Sequence, residues 1–115
     1  MSNQLLMTIP QFPFTIFDWS AVSAERREGE SAYALWQVLH VGNIRIRRME
    51  YAPGYKADHW CKKGHIIHCL EGSMTTELED GRMMELGRGM TYVVGDDCEG
   101  HRTFTEGGCV LFVVD

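Results

Sequence analysis

Apolar and polar positions alternate along this chain in short runs with a period close to two, the signature of half-buried β-strands. The runs are "FTIFDW" (14–19), "YALWQVLHV" (33–41), "IRIRRMEY" (44–51), "HIIHCLEG" (65–72), "MTTELE" (74–79), "MTYVV" (90–94) and "CVLFVV" (109–114). Turn signals separate them: "VGN", "APGY", "EDGR", "GRG", "VGDD" and "EGG". Asp80-Gly81 is the strongest hairpin signal, because both central positions of such a turn favour positive φ. Only "SAVSAERREGE" (20–30) is open to a helical turn, and Gly29 limits it; a polar loop fits equally well. Many short strands with glycines at the corners predict an all-β domain, a sandwich or a small barrel.

Length and charge narrow the class. The 115 residues make one domain, able to bury roughly two thirds of the unfolded surface. A net charge of −5 argues against nucleic acid or an anionic membrane surface as partner, since both require a basic face. No stretch reaches the ~20 apolar residues of a membrane span. The N-terminal "MSNQLLMTIPQFPF" has no basic start, and Thr8 and Pro10 break its apolar run, so no secretory signal is expected. A cytoplasmic location follows as the expectation, with the four cysteines as thiols.

The chemistry concentrates in residues 57–72, "ADHWCKKGHIIHCLEG", which hold three of the five histidines and two of the four cysteines. Two residues apart, His59 and Cys61 share one side of an extended segment. From His65 onward, His65, Ile67 and Cys69 share a face, with Ile66, His68 and Leu70 on the other. A turn at Lys63-Gly64 would fold the His59/Cys61 side onto His65. A fourth ligand must come from elsewhere, and His101 is the remaining histidine of the second half. Imidazole and thiolate suit Zn, Fe, Ni or Cu, whereas Mg and Ca prefer carboxylate oxygen.

These residues resemble the cupin superfamily over about residues 33–115, with 1–32 left as an N-terminal arm, edge strand and loop. The first cupin motif runs from a glycine through His-x-His and Glu to a closing glycine; Gly54, His59, Cys61, His65 and Gly72 take those places here. The second motif is framed by Gly89 and His101, with Gly95 where a proline is expected, and 16 residues (73–88) lie between the motifs. Cys61 stands for the second histidine and His65 for the glutamate. The "DHWC…GH" string is similar to the small single-domain cupins named for a DHCW motif. The resemblance implies a double-stranded β-helix (jelly-roll) barrel and a divalent transition metal (Zn, Fe, Ni or Mn) held by His59, Cys61, His65 and His101. It does not supply a reaction.

Other residues carry plainer readings. His68 has the wrong parity for the site, and His40 has no ligand set around it. Cys98, three residues before His101, is a reserve ligand, while Cys69 and Cys109 read as small buried apolar residues. Asp58 suits a hydrogen bond to a ligand rather than ligation, and Trp60 suits wall packing. Arg45 and Arg47 are expected to face solvent, since a buried unpaired guanidinium is unfavourable, although Met49 and Tyr51 share their parity. Three functions stay open. The first is a metal-binding cupin that binds or transforms a small polar molecule; as an enzyme it would use the ion as a Lewis acid or oxygen-activating centre, in dioxygenase- or isomerase-type chemistry. The second is a non-catalytic ligand-binding or sensing module, and the third a structural barrel without metal. The apolar arm "LLMTIPQFPFTIFDW" predicts a homodimer in which it covers, or extends, the partner's sheet.

Overall fold

The computed structural model describes residues 6–115. Eight strands form it: β1 (Glu25–Glu28), β2 (Tyr33–Val41), β3 (Ile44–Tyr51), β4 (His65–Leu78), β5 (Met83–Gly87), β6 (Thr91–Val94), β7 (His101–Phe104) and β8 (Cys109–Val114). Among the described residues the helical content is one 3-10 turn, Trp19–Ala21, capped by the Asp18 side chain. No helix there is long and apolar enough to cross a membrane.

All pairings are antiparallel, in the order β1-β2-β3-β8-β4-β5, with β6 and β7 also joined to β4. The path does not rejoin itself, so the sheet is not closed into a complete barrel. The organising element is β4. Its first half pairs with β8 and β6, its second half with β5 and β7. The runs 65–72 and 74–79, expected as separate strands, are therefore one strand. A bulge between Cys69 and Glu71 joins the halves and shifts the parity. Before it the odd positions His65, Ile67 and Cys69 are buried; after it the even positions Met74 and Thr76 are. Gly72 makes the crossing possible: its φ is +71°, and a Cβ there would lie 2.2 Å from the Gly108 carbonyl oxygen.

Two expectations fail outside the core. The run 14–19 forms no strand, because no neighbour among the described residues pairs with it. Instead Trp19 meets Phe112 edge-on at 6.4 Å, and Gln37 Nε2 donates to the Trp19 and Val22 carbonyls, both at 2.7 Å. Conversely, β1 forms where a helical turn or polar loop was expected. Its ladder to β2 is reinforced by Arg26 over the Tyr33 ring (3.9 Å) and Arg27 over Trp36 (4.5 Å), which lets a fully charged segment hold an extended edge.

The core lies between the two halves of β4 and the inward faces of β3 and β8. Leu111, Val113 and Cys69 are fully buried, with Met49, Tyr51, Ile67, Met74 and Leu86 around them. Each such aliphatic side chain contributes about 1.5–3 kcal/mol on burial. Cys69 and Cys109 lie in this layer as buried thiols, and all four cysteines are free.

Candidate metal centre

Three elements bring the ligand-type side chains together. His65 opens β4 and His101 opens β7, both on inward positions. Cys61 reaches them from the segment before β4, through an isolated bridge in which Cys61 N–H donates to the His101 carbonyl (2.8 Å) and His101 N–H to the Cys61 carbonyl (2.9 Å). The sequence pattern suggested that Lys63-Gly64 would fold this segment against β4. Gly64 instead donates its N–H to Asp96 Oδ1 at 2.7 Å, and the segment runs beside β7.

The donor atoms of Cys61, His65 and His101 all lie within 4.8 Å of one another. Each imidazole has its protonated nitrogen fixed by an acceptor that cannot donate. His65 Nδ1–H donates to Asp115 Oδ2 at 2.8 Å, and His101 Nδ1–H to the Glu99 carbonyl at 2.9 Å. In the neutral rings this leaves the lone pair on Nε2. His65 Nε2 lies 3.6 Å from Cys61 Sγ. Ligands at about 2.1 and 2.3 Å from one tetrahedral ion are separated by roughly 3.6 Å, so this spacing is that of a coordination edge. His101 Nε2 is buried without a hydrogen-bond partner. A buried unpaired acceptor is unfavourable, and an ion smaller than a water molecule relieves it. The residues present fit a transition metal.

Asp115 holds the site from beneath. Besides His65, its carboxylate accepts from Arg45 Nε (2.8 Å), Arg45 Nη2 (3.0 Å) and Arg47 Nη2 (2.8 Å), and its side chain is 1% exposed. Burial alone would raise its pKa, but the hydrogen bonds from Arg45 and His65 and the Arg47 charge hold it well below the usual carboxylate range. For His65, burial outweighs the bond to Asp115 and lowers the pKa, which keeps the ring neutral as a ligand requires. This corrects the expected orientation of β3. Arg47 is buried and Arg45 half-buried, both lining the cavity, because Asp115 supplies the partner that makes buried guanidinium tolerable. Sequence reasoning missed Asp115, although Cys109, Leu111 and Val113 set an inward parity that it continues.

His59 stands apart from the three. Its side chain is 76% exposed on the rim of the same cavity, and its Nδ1–H donates to Asp58 Oδ1 at 2.6 Å. His68 bonds Thr91 Oγ1 (2.8 Å) on the other face of β4, His40 and Cys98 are exposed, and Trp60 lies at the surface under Arg102. The cavity of ≈ 250 Å³ is walled by Cys61, His65 and His101 together with aromatic and arginine side chains. Larger depressions of ≈ 450 and ≈ 380 Å³ on the outer surface include none of the three ligand-type residues.

Comparison with solved structures agrees with this architecture. The polyketide cyclase RemF from Streptomyces resistomycificus superposes with a TM-score of 0.73, at 26% identity over 88% of this chain and 78% of that one. A predicted oxalate decarboxylase from Thermotoga maritima gives 0.73 at 17% identity, covering 87% of this chain and 96% of that one. A sugar phosphate isomerase of the cupin superfamily from Silicibacter pomeroyi gives 0.65 at 17% identity, covering 87% and 74%. No protein-family model and no curated protein sequence matches the chain. The fold is that of a cupin, with a Cys-His-His group that could hold a metal.

Proposed function

We propose that this protein is a metal-dependent small cupin that binds or transforms a small molecule beside an ion held by Cys61, His65 and His101. His59 reaches the fourth position from the rim once it releases Asp58. The observation that carries this reading is the unpartnered, buried Nε2 of His101, within 4.8 Å of the donor atoms of Cys61 and His65. A divalent transition ion there would supply a Lewis acid whose fourth position passes between His59 and a ligand or water. The chain's own part is to orient the two imidazoles through Asp115 and the Glu99 carbonyl, and to keep His65 neutral by burial. The four free thiols suit a reducing, cytoplasmic setting. The three similar structures are named for a cyclase, a decarboxylase and an isomerase, so the fold does not choose among reactions.

We also propose a homodimer built on the N-terminal arm, supported by the exposed Leu6, Ile9, Phe12, Phe14 and Ile16. Cobalt(II) titration of untagged, metal-stripped protein tests the centre. One equivalent should bind with a thiolate-to-cobalt charge-transfer absorption. His101→Ala should weaken binding roughly a hundred- to a thousandfold, and His68→Ala should leave it unchanged. Equal cobalt binding by both variants would reject the ligand assignment.

A further inference from the structure

The cavity differs in charge from the molecule that contains it. The chain carries −5 overall, yet the cavity wall includes Arg45, Arg47 and Arg102 and no aspartate or glutamate. Asp115 beneath the wall offsets one charge of the Arg45–Arg47 pair, and Glu77 pairs with Arg102 at 3.4 Å. Three guanidinium groups less two carboxylates leave an excess of one positive charge. Glu30 does not change this balance much: it is exposed, and it lies nearer Lys56 (3.4 Å) than Arg102 (3.9 Å).

Three residues of the wall also carry N–H groups that have no partner. Arg47 Nε, Arg102 Nε and Trp36 Nε1 are buried without hydrogen-bond partners. Native interiors rarely leave such groups unpaired, and here all three sit in residues lining one cavity. Arg47 and Trp36 are adjacent, the guanidinium carbon 4.8 Å from the ring centre. Around them the surface is apolar or aromatic: Met49, Tyr51, Ile67 and Tyr92. In the metal-free cavity a single excess charge, unpartnered N–H groups and an apolar remainder together describe the complement of one molecule class.

We propose that the cavity binds a small organic monocarboxylate with an apolar body, its carboxylate held on the Arg47–Trp36 side and its body against the aromatic wall. A planar guanidinium matches a carboxylate in shape as well as charge, and low-dielectric walls strengthen the attraction. The proposal rests on the reading that this cavity is the protein's ligand site, but the arginine subsite does not require the ion.

Isothermal titration of the full-length protein, metal-stripped and cobalt-loaded, with butyrate, benzoate, benzamide and inorganic phosphate tests it. Butyrate or benzoate should bind at least tenfold more tightly than benzamide, and phosphate should not displace them. Arg47→Gln should weaken the carboxylates at least tenfold. Because that change also disturbs Asp115, Arg102→Gln serves as a second variant, expected to lose several-fold while circular dichroism still shows the native fold. His101→Ala separates the two ideas: it should lose cobalt and keep carboxylate binding. Benzamide binding as well as benzoate, phosphate outcompeting both acids, neither acid binding at millimolar concentration, or carboxylate binding lost with the ion would each overturn the proposal.

Discussion

The inner face of β3 and the N-terminal arm invert the usual rule of burial. Arg47 is 4% exposed and its partner Asp115 is closed off from solvent, whereas Phe14 and Ile16 stand 95% and 82% exposed. Polarity would place them the other way round. What separates the two regions is the supply of partners. Asp115 gathers hydrogen bonds from Arg45, Arg47 and His65 at one point, so the charged face can be enclosed. Among the described residues the arm's exposed apolar side chains have no such neighbour; the arm touches the chain at Pro10, which lies against Gly42, and at Trp19. On the inner face of β3, a carboxylate partner is what makes a charged side chain tolerable inside.

That contrast can be broken from the inside first. Asp115→Asn removes the charge that balances two arginines, and breaking a buried ion pair from one side costs about 3–5 kcal/mol. Urea denaturation should show a loss of that size, and cobalt affinity should fall roughly 10–100-fold because His65 loses its orienting carboxylate. The double variant Asp115→Asn/Arg47→Met should recover part of the stability; no recovery would show that the arginines are not what the carboxylate balances.

From the outside, deletion of residues 1–12 should convert a dimer to a monomer or an aggregating species in sedimentation velocity. A full-length chain that already sediments as a monomer at micromolar concentration would remove the second copy from the account of the arm.

A smaller effect comes from pH in the metal-stripped protein. His65 and Asp115 both have lowered folded-state pKa values. The unfolded chain therefore binds more protons than the native one as acid is added. Stability should be full above about pH 6.5, decline below it because buried His65 resists the proton that the unfolded chain takes up, and decline again below about pH 4 as the Asp115 carboxylate resists protonation in the same way. A flat profile between pH 7 and pH 4 would contradict the role given to His65, and one flat below pH 4 the role given to Asp115. Smallest of all, His59→Ala should reduce cobalt affinity only several-fold, since its ring lies on the rim and is engaged with Asp58.

Much of this was legible in the sequence because a period of two reports which side chains share a face. It identified the all-β class, the DG hairpin and the inward parity of His65, and the motif spacing brought in Cys61 and His101. Three things were not legible. A bulge leaves no mark in the alternation until the partner strand is known, so β4 read as two strands. Arg45 and Arg47 were judged by the unfavourable burial of lone charges, and their partner lies some 70 residues away. His59 shared a face with Cys61 in the pattern, but the stretch around it is not a regular strand, and the rule of alternation lapses there.

The Cys61–His101 bridge also bears on the order of events in folding. It joins positions 40 apart in the chain, and the His65–Asp115 bond spans 50. Closing loops of that length must precede any reward from the contacts they permit, which makes such features late. A chain emerging from a ribosome can form the β2–β3 hairpin from local contacts alone. It has no oriented His65 until residue 115 has arrived. Ion capture would then mark only chains that have completed the sheet, and a pulse of metal given during refolding should be taken up at the rate of the slowest folding phase.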